Sequence, residues 1–175
     1  MGASSYIKTE ASAVTRVADN VSRVLGDEFN GGEFSLLMDL NASTNRMPSA
    51  NADFYGSLNN GSYSNNISLV KLVGRTDLSV LCRVNNAATY SLDLNVSNGK
   101  IAFAYSVNTN NLRVFVNGQK VDDATPSAVL RSELITRLSI FTDGLSGIKS
   151  SGSIRKSCLY PKALSDQEAI ELTKV

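Results

Sequence analysis

The sequence predicts an all-β domain in which two antiparallel sheets pack face to face, with a short helix at the C-terminal end. Two observations support this fold class. Apolar residues recur at every second position in many short segments, and Asn-Gly dipeptides or polar stretches separate those segments. A strand that buries one face needs a second layer to cover it, and another sheet is the simplest such layer. The 175 residues are enough for one hydrophobic core, so we expect a single domain over residues 1–175.

The individual strands follow from this alternation. Every second residue from Phe34 to Leu40 is apolar, which is typical of a half-buried strand. Residues 11–25 fit a helix or a strand, and their β-branched valines and threonine favour the strand. Residues 41–66 are rich in asparagine and serine, so we expect exposed loops there. Further strands are predicted at residues 67–73, 78–84, 89–96, 100–107, 112–116 and 138–141.

Three Asn-Gly dipeptides predict tight hairpins, because both residue types tolerate the positive φ angles of type I′ turns. They are Asn60-Gly61, Asn98-Gly99 and Asn117-Gly118. We expect Asn98-Gly99 to join neighbouring strands at 89–96 and 100–107. The polar residues 108–111 are expected to join the second of these strands to the strand at 112–116.

A helix is predicted only near the C-terminal end. Ser165 and Glu168 have the spacing of a capping box, in which each side chain satisfies a backbone N–H of the other residue. An apolar stripe of Ala169, Ile170 and Leu172 continues from it. One short helix therefore closes the domain.

Composition and charge narrow the functional classes. The chain has no histidine and no tryptophan, which removes the usual general base near neutral pH and the commonest transition-metal ligand. Seventeen basic residues against sixteen acidic ones leave a formal charge of +1, so no net field favours nucleic acid or a membrane surface. No secretion signal opens the chain and no apolar run is long enough to span a membrane, so we expect no membrane insertion. Cys82 and Cys158 lack C-x-x-C spacing and are predicted to be buried free thiols, which suits a reducing cytoplasm.

Both ends of the chain resemble domains of bacteriophage tail proteins. SSYIKT at residues 4–9 and SAVTRVAD at residues 12–19 resemble the "S-Y-I-P-T" and "A-V-T-R-A-A-D" stretch of laminin-G-like jelly rolls in those proteins, with departures at Lys8 and Val17. LRVFVNG at residues 112–118 resembles their "L-x-V-Y-V-N-G" hairpin. Residues 154–168 resemble their closing strand and helix, "Y-x-R-A-L-S-D-x-E".

This resemblance implies a concanavalin A-like jelly-roll sandwich that is a fragment of a longer tail fibre or tailspike protein. It also implies a non-catalytic receptor-binding domain that recognises a bacterial surface polysaccharide or lipopolysaccharide. The domain would act as a homotrimer in the virion tail, after assembly in the host cytoplasm. The alternative is a structural or trimerisation domain of the tail that binds no sugar, because a fold does not determine a function.

Sugar recognition needs flat apolar faces that stack on C–H groups and planar amides that pair with hydroxyls. Tyrosines and asparagines of the polar segments supply both groups, and residues 53–66 are especially rich in them. The same residue types are also favoured in strands and turns for structural reasons. Arg46 and Arg83 are either contacts for an acidic sugar or solvated surface charges. The predicted ligand contacts are Tyr55, Asn59, Asn60, Tyr63, Asn65, Tyr90, Asn108 and Asn110.

An enzyme is the main rival interpretation. Retaining glycoside hydrolysis needs two carboxylates about 5 Å apart, and the adjacent pairs Asp27-Glu28 and Asp122-Asp123 would point to opposite faces of a strand. These pairs are better explained as solvated loop charge. Residues 131–134 and 160–163 resemble motifs of jelly-roll alginate lyases, but the histidine that those sites need is missing from the chain. We therefore predict no catalytic residue.

A bound metal is the remaining alternative. Asp122, Asp123 and Asp143 are potential calcium ligands, since loop carboxylates hold calcium in some sandwiches. The chain contains no D-x-D-x-D-G loop to support them. We predict no cofactor, and calcium stays open.

Overall fold

The computed structural model describes residues 21–26, 29, 32–42, 52–131, 134–141 and 152–175. Within these ranges the chain forms eleven strands and one short helix. The helix has eight residues, and no helix in the described ranges is long and apolar enough to cross a membrane. The elements are β1 (Val21–Val24), β2 (Glu33–Ala42), β3 (Ala52–Asn59), β4 (Asn66–Leu72), β5 (Leu78–Val84), β6 (Ala87–Asp93), β7 (Asn98–Ser106), β8 (Asn111–Val116), β9 (Gln119–Ala124), β10 (Arg137–Ile140), β11 (Gly152–Tyr160) and α1 (Asp166–Thr173).

The strands make two antiparallel sheets. A six-stranded sheet has the order β1-β10-β3-β4-β5-β6, and a five-stranded sheet has the order β11-β2-β7-β8-β9. The order is not sequential, so the chain crosses between the sheets several times, as in a jelly roll. This arrangement confirms the predicted fold class, including the C-terminal helix.

The core lies between the sheets, because the alternating apolar residues of both sheets point inwards. Phe34, Leu36 and Met38 of β2 are buried there in one cluster with Ile67 and Leu69 of β4. Inward-facing residues of β5, β7 and β8 join the same cluster. The period of two that predicted these strands therefore marks the core face of each one.

One region was predicted wrongly. We expected exposed loops over residues 41–66, but residues 52–59 form β3, in which every residue is buried. Two features hide this strand in the sequence. A bulge between Phe54 and Gly56 breaks the alternation, and polar Ser57 and Asn59 occupy its outer face. β9 was also missed, since Asp122 and Asp123 were assigned to a loop but lie in this short edge strand.

The three Asn-Gly dipeptides have three different outcomes. Asn117-Gly118 forms the predicted hairpin between β8 and β9, with φ angles of 49° and 80°. Asn60-Gly61 lies in a longer loop between β3 and β4, and within that pair only Gly61 has a positive φ. Asn98-Gly99 was predicted wrongly, because it begins β7, and β6 and β7 belong to different sheets. Gly99 is needed for close packing, since a Cβ there would lie 2.3 Å from Asn117 Oδ1.

The two cysteines differ in burial, and both thiols are free. Cys82 faces the core, and burial raises its pKa to about 11, so the thiol is protonated and inert. Cys158 is only half-buried, on the opposite face of the five-stranded sheet. The prediction of a buried thiol is confirmed for Cys82, while Cys158 retains some exposure.

Helix α1 covers the outer face of the five-stranded sheet. Ala169 of the helix and Leu164 before it pack on Leu37, Ala104 and Phe115. At the start of the helix the predicted capping box is present, with Ser165 Oγ accepting from the Glu168 N–H and Glu168 accepting from the Ser165 N–H. This cap holds the helix beginning next to the sheet.

The cap makes stability depend on pH. Hydrogen bonds from Lys162 and Ser165 lower the pKa of Glu168 from 4.5 to about 2. A carboxyl whose pKa is lower in the folded state stabilises the fold above its unfolded pKa, and this contribution is lost as pH falls through the folded pKa. We therefore expect the melting temperature of the native chain to fall more steeply than that of Glu168→Gln between about pH 5 and pH 2. Thermal unfolding followed by circular dichroism measures this difference, and parallel curves for the two proteins would contradict it.

Candidate functional site

Several loops gather at one end of the sandwich. The loop after β3 (residues 60–65) and the turn after β5 (residues 85–86) are joined by a hydrogen bond from Asn86 N to Ser64 O, at 2.9 Å. The segment after β9 approaches the same end, where Ser127 N donates to Thr89 O at 3.0 Å. The turn between β7 and β8 lies beside that segment, with Asn110 donating to Pro126 O at 2.7 Å. Polar side chains from both sheets therefore meet at this rim.

A row of polar residues crosses the outer face of the six-stranded sheet near this rim. In cross-strand register, Arg137 of β10 is opposite Asn59 of β3, Asn59 is opposite Asn66 of β4, and Asn66 is opposite Arg83 of β5. Directly paired residues point to the same face of a sheet. The row thus carries a guanidinium at each end and two carboxamides in the middle, and we call it the Arg–Asn row.

A parallel row of serines supports it. Ser139, Ser57 and Ser68 occupy the next outward positions of β10, β3 and β4. Asn59 Nδ2 donates to Ser57 Oγ at 3.1 Å and to Ser139 Oγ at 3.2 Å. Ser68 Oγ donates to Asn66 Oδ1 at 3.1 Å. These bonds fix both buried amides, which makes the middle of the Arg–Asn row rigid.

Tyr63 and Arg83 form the partly exposed end of the site. The Tyr63 ring meets Phe54 edge to face, with centroids 5.4 Å apart, and the Arg83 guanidinium carbon lies 4.3 Å above the Tyr63 ring. Arg83 Nη1 also donates to Asn86 O at 2.9 Å. The stack and this bond together hold the guanidinium in one plane.

The Nε of Arg83 is a buried donor that finds no acceptor among the described residues. An unmade hydrogen bond of this kind is costly, so an ordered water or another polar atom is expected to complete it. Neither Arg83 nor Arg137 pairs with a carboxylate in the described part of the chain. The site can therefore accept an anion, and a carboxylate fits the planar fork of a guanidinium best.

A backbone irregularity accompanies Arg83. The pairing of β5 with β6 shifts register between Cys82 and Arg83, so that Cys82 is opposite Tyr90 and Arg83 is opposite Ala88. Bulges of this kind turn a side chain away from the regular direction and are common beside functional sites. The turn that follows has Asn85 and Asn86 with φ angles of 51° and 68°, which brings the Asn86 carbonyl within reach of Arg83.

The residues predicted around the β3–β4 loop have different fates. Tyr55 is fully buried in the core, next to Phe141 at a centroid distance of 6.2 Å. Asn59 is buried within the Arg–Asn row, and Asn65 is buried with its Oδ1 accepting from Asn85 N at 2.9 Å. Asn60 is exposed at the rim. Among the five residues predicted in this region, only Asn60 and Tyr63 are accessible to a ligand.

The remaining predicted residues belong to the other side of the rim. Tyr90 donates to Asp122 Oδ2 at 2.5 Å and so joins the edge strands β6 and β9 of the two sheets. Burial, with Asp122 as the second cause, raises the pKa of Tyr90. Asn110 accepts from the Tyr105 hydroxyl at 2.7 Å while donating to Pro126 O, whereas Asn108 is exposed. The hydroxyl of Tyr90 and the amide of Asn110 thus make hydrogen bonds to other parts of the domain.

Sequence reasoning missed part of this arrangement. Arg137 and the three serines were not singled out, because each is an ordinary strand residue until the register places it next to the others. Arg83 was weighed for an acidic sugar but left out of the predicted contacts. The available signal was alternation: Asn66 and Ser68 flank core-facing Ile67, which marks a polar outer face.

A metal site receives no support from the described part of the chain. Asp122 is engaged by Tyr90, and Asp123 is engaged by Asn111 and Lys120, whose hydrogen bonds lower its pKa. No group of three metal-ligating side chains occurs within the described ranges. Asp143, the third predicted ligand, lies outside them, as do Arg46 and residues 4–19.

No protein-family model and no curated protein matches the chain. Solved structures do match it. The isolated CBM40 domain of the Ruminococcus gnavus IT-sialidase superposes with a TM-score of 0.65 over 90% of this chain and 98% of that one, at 13% identity. The NanB sialidase of Streptococcus pneumoniae gives a TM-score of 0.65 at 19% identity, over 88% of this chain and 27% of the enzyme. A botulinum neurotoxin type C chain gives 0.62 at 11% identity, over 88% and 39%. Likeness at these identities shows the fold, a jelly roll of the kind used by carbohydrate-binding modules.

Removing the Tyr90 hydroxyl tests its role in the fold. We expect Tyr90→Phe to lower the free energy of unfolding by about 1–2 kcal/mol, because the half-buried Asp122 carboxylate loses its donor. Chemical denaturation of Tyr90→Phe, Asp122→Asn and the double variant gives the coupling between the two side chains. Unchanged stability together with lost sugar binding would instead support the assignment of Tyr90 as a ligand contact.

Proposed function

We propose that the domain is a non-catalytic glycan-binding module that recognises a carboxylate-bearing saccharide at Arg83. The observation that carries this proposal is the fixed guanidinium, which is stacked on Tyr63, anchored to Asn86 O and left with a buried Nε donor. A sugar carboxylate would accept from the Nη groups of this guanidinium in the charge-assisted manner that guanidinium groups favour. Arg137, at the other end of the Arg–Asn row, adds positive charge on the same face.

The solved structures support this chemistry. The Ruminococcus gnavus CBM40 domain has been seen with α2,3- and α2,6-sialyllactose bound, and the botulinum neurotoxin study describes dependence on two ganglioside molecules. Sialyllactose carries a carboxylate. The same fold therefore binds acidic sugars elsewhere, and this chain offers a cation on an outer sheet face for such a ligand.

The remaining surface of the site suits hydroxyl recognition. Asn60, Asn85 and Asn86 are exposed at the rim around Tyr63 and Arg83. Their carboxamides can donate to and accept from sugar hydroxyls. The Tyr63 ring has a guanidinium on one face, so Tyr63 supports Arg83 as well as flanking the ligand. Tyr55, Asn59 and Asn65 are buried and are not part of the proposed contact surface.

The charge state of the carboxylates favours binding without catalysis. A glycosidase needs a general acid whose pKa is raised by its surroundings. The pKa values of Asp39, Asp123, Asp166 and Glu168 are all lowered, chiefly by hydrogen bonds from neighbouring cations and amides. These four groups are ionised at neutral pH and make poor proton donors.

The biological setting is also a proposal. Residues 4–19, 112–118 and 154–168 resemble phage tail domains, so we place the module in a tail fibre or tailspike that attaches to a bacterial surface polysaccharide or lipopolysaccharide. A homotrimer would present three copies, and several weak sites acting together give useful avidity. Sedimentation equilibrium would then show about three times the 18.7 kDa mass of one chain. If the protein is a monomer that binds glycan, the trimer proposal is wrong and the recognition proposal still stands.

The recognition proposal is tested by binding of acidic bacterial capsule fragments and of the same fragments with their carboxyl groups reduced to alcohols. We expect the acidic forms to bind and the reduced forms to bind at least about tenfold more weakly. Arg83→Gln should weaken binding of the acidic forms by a similar factor. Arg83→Lys should retain only part of the native affinity for the acidic forms, because an ammonium lacks the planar fork of a guanidinium.

Arg75→Gln is the matched control, since Arg75 is an exposed arginine of the loop between β4 and β5 that pairs with Asp93 away from the Arg–Asn row. It should bind as the native protein does. Equal binding of acidic and reduced fragments by all variants would overturn the assignment of Arg83. Blank arrays with a melting temperature that depends on trimer formation would instead favour a structural role in the tail.

A further inference from the structure

A groove of about 500 Å³ lies on the opposite side of the molecule, between the end of β11 and helix α1. It is built on the outer face of the five-stranded sheet, where Leu164 and Ala169 hold the helix in place. Its volume is within the range of small-ligand sites. The lining residues are Tyr160, Lys162, Leu164, Ser165, Gln167, Glu168, Glu171 and Leu172.

The walls combine an apolar surface with planar polar groups. Tyr160, Leu164 and Leu172 supply the apolar part, and Tyr160 and Leu172 are half-buried. Gln167 and Glu171 are exposed and four residues apart, so they lie on the same side of the helix. An aromatic ring beside a carboxamide and a carboxylate is the set of groups that a pyranose needs, because its C–H face stacks while its hydroxyls pair.

The charge of the groove selects among sugars. Its lining contains the carboxylates of Glu168 and Glu171, which pair with the ammonium groups of Lys162 and Lys174, so no cation of the groove is left for an acidic ligand. A carboxylate-bearing sugar finds no unpaired cation here, whereas the hydroxyls of a neutral sugar can donate to Glu171 and Gln167. This preference is the reverse of that of the Arg–Asn row.

We propose that the groove between β11 and α1 is a second saccharide site, specific for a neutral sugar. Helix α1 is eight residues long, or about 12 Å, which limits the bound segment to about two pyranose rings. The site is on the outer face of the five-stranded sheet and the Arg–Asn row is on the outer face of the six-stranded sheet. Two glycan segments can therefore bind to one domain at the same time.

Titration of the ¹⁵N-labelled full chain with three neutral disaccharides, lactose, maltose and N,N′-diacetylchitobiose, followed by NMR, tests the proposal. We expect at least one of them to shift the amide signals of residues 160–172. Gln167→Ala and Tyr160→Leu should weaken that binding by about tenfold or more. Gln167 is exposed on the helix, so its substitution reports binding even if Tyr160→Leu proves unstable.

Gln119→Ala is the control, because Gln119 is an exposed glutamine of β9 outside the groove. It should leave the binding unchanged. No shift within residues 160–172 for any of the three sugars at millimolar concentration would overturn the second site, and so would binding that Gln167→Ala leaves intact. Acidic capsule fragments titrated into the same sample report on Arg83 separately, so the second site can fail while the proposed function stands.

Discussion

Burial of the alternating apolar side chains between the two sheets is the constraint on which the remaining structure depends. It fixes the register of each inner strand, because a slip by one residue would move Asn59 and Asn66 into the core and Leu58 and Ile67 to the outer face. Such a slip would bury polar groups where no partner exists and expose apolar ones. The register that forms the core therefore also aligns the Arg–Asn row across four strands.

The outer faces of the two sheets do not contribute to this core, and they carry different side chains. The outer face of the five-stranded sheet is apolar at Leu37, Ala104 and Phe115, so it requires a cover, and helix α1 provides one. Arg113 strengthens the attachment by donating to Asp166 at 2.7 Å and to Leu164 O at 2.8 Å. The outer face of the six-stranded sheet is mixed: Ala52, Phe54, Val70 and Leu81 form a buried apolar cluster with Tyr63 packed against it, and the Arg–Asn row is polar. The face covered by the helix carries the groove, and the polar part of the other face carries the row of donors.

Sequence reasoning recovered the parts of the fold that depend on local pattern. The strands with clear alternation, the Asn117-Gly118 turn and the capped helix were all predicted, since each is determined by residues close together in the chain. The strand β3 was missed because polar outer residues such as Ser57 and Asn59 look like those of a loop, and only the pairing with β4 and β10 makes them part of a sheet. The hairpin predicted at Asn98-Gly99 was wrong because the same dipeptide has a second structural use. A positive-φ glycine can serve a tight contact, here with Asn117, as well as a hairpin.

The candidate site was less predictable than the fold, because a binding surface depends on which residues meet across strands. Tyr55 and Tyr63 have similar sequence surroundings, yet one lies in the core and the other lies under a guanidinium at the rim. Arg83 gained its role from three elements at once: the Tyr63 ring, the Asn86 carbonyl and the bulge opposite it. None of these is visible from the position of Arg83 in the chain.

The groups that form the Arg–Asn row also determine how the proposed recognition would respond to pH. A guanidinium group carries its charge in neutral and acidic solution, and the amides and hydroxyls of asparagine and serine carry no charge. The chain has no histidine that would change charge between pH 5 and pH 8. The charge that the row presents is therefore constant over this range, and only the carboxyl group of the ligand can titrate. The proposed preference for acidic sugars would therefore hold in both neutral and mildly acidic surroundings.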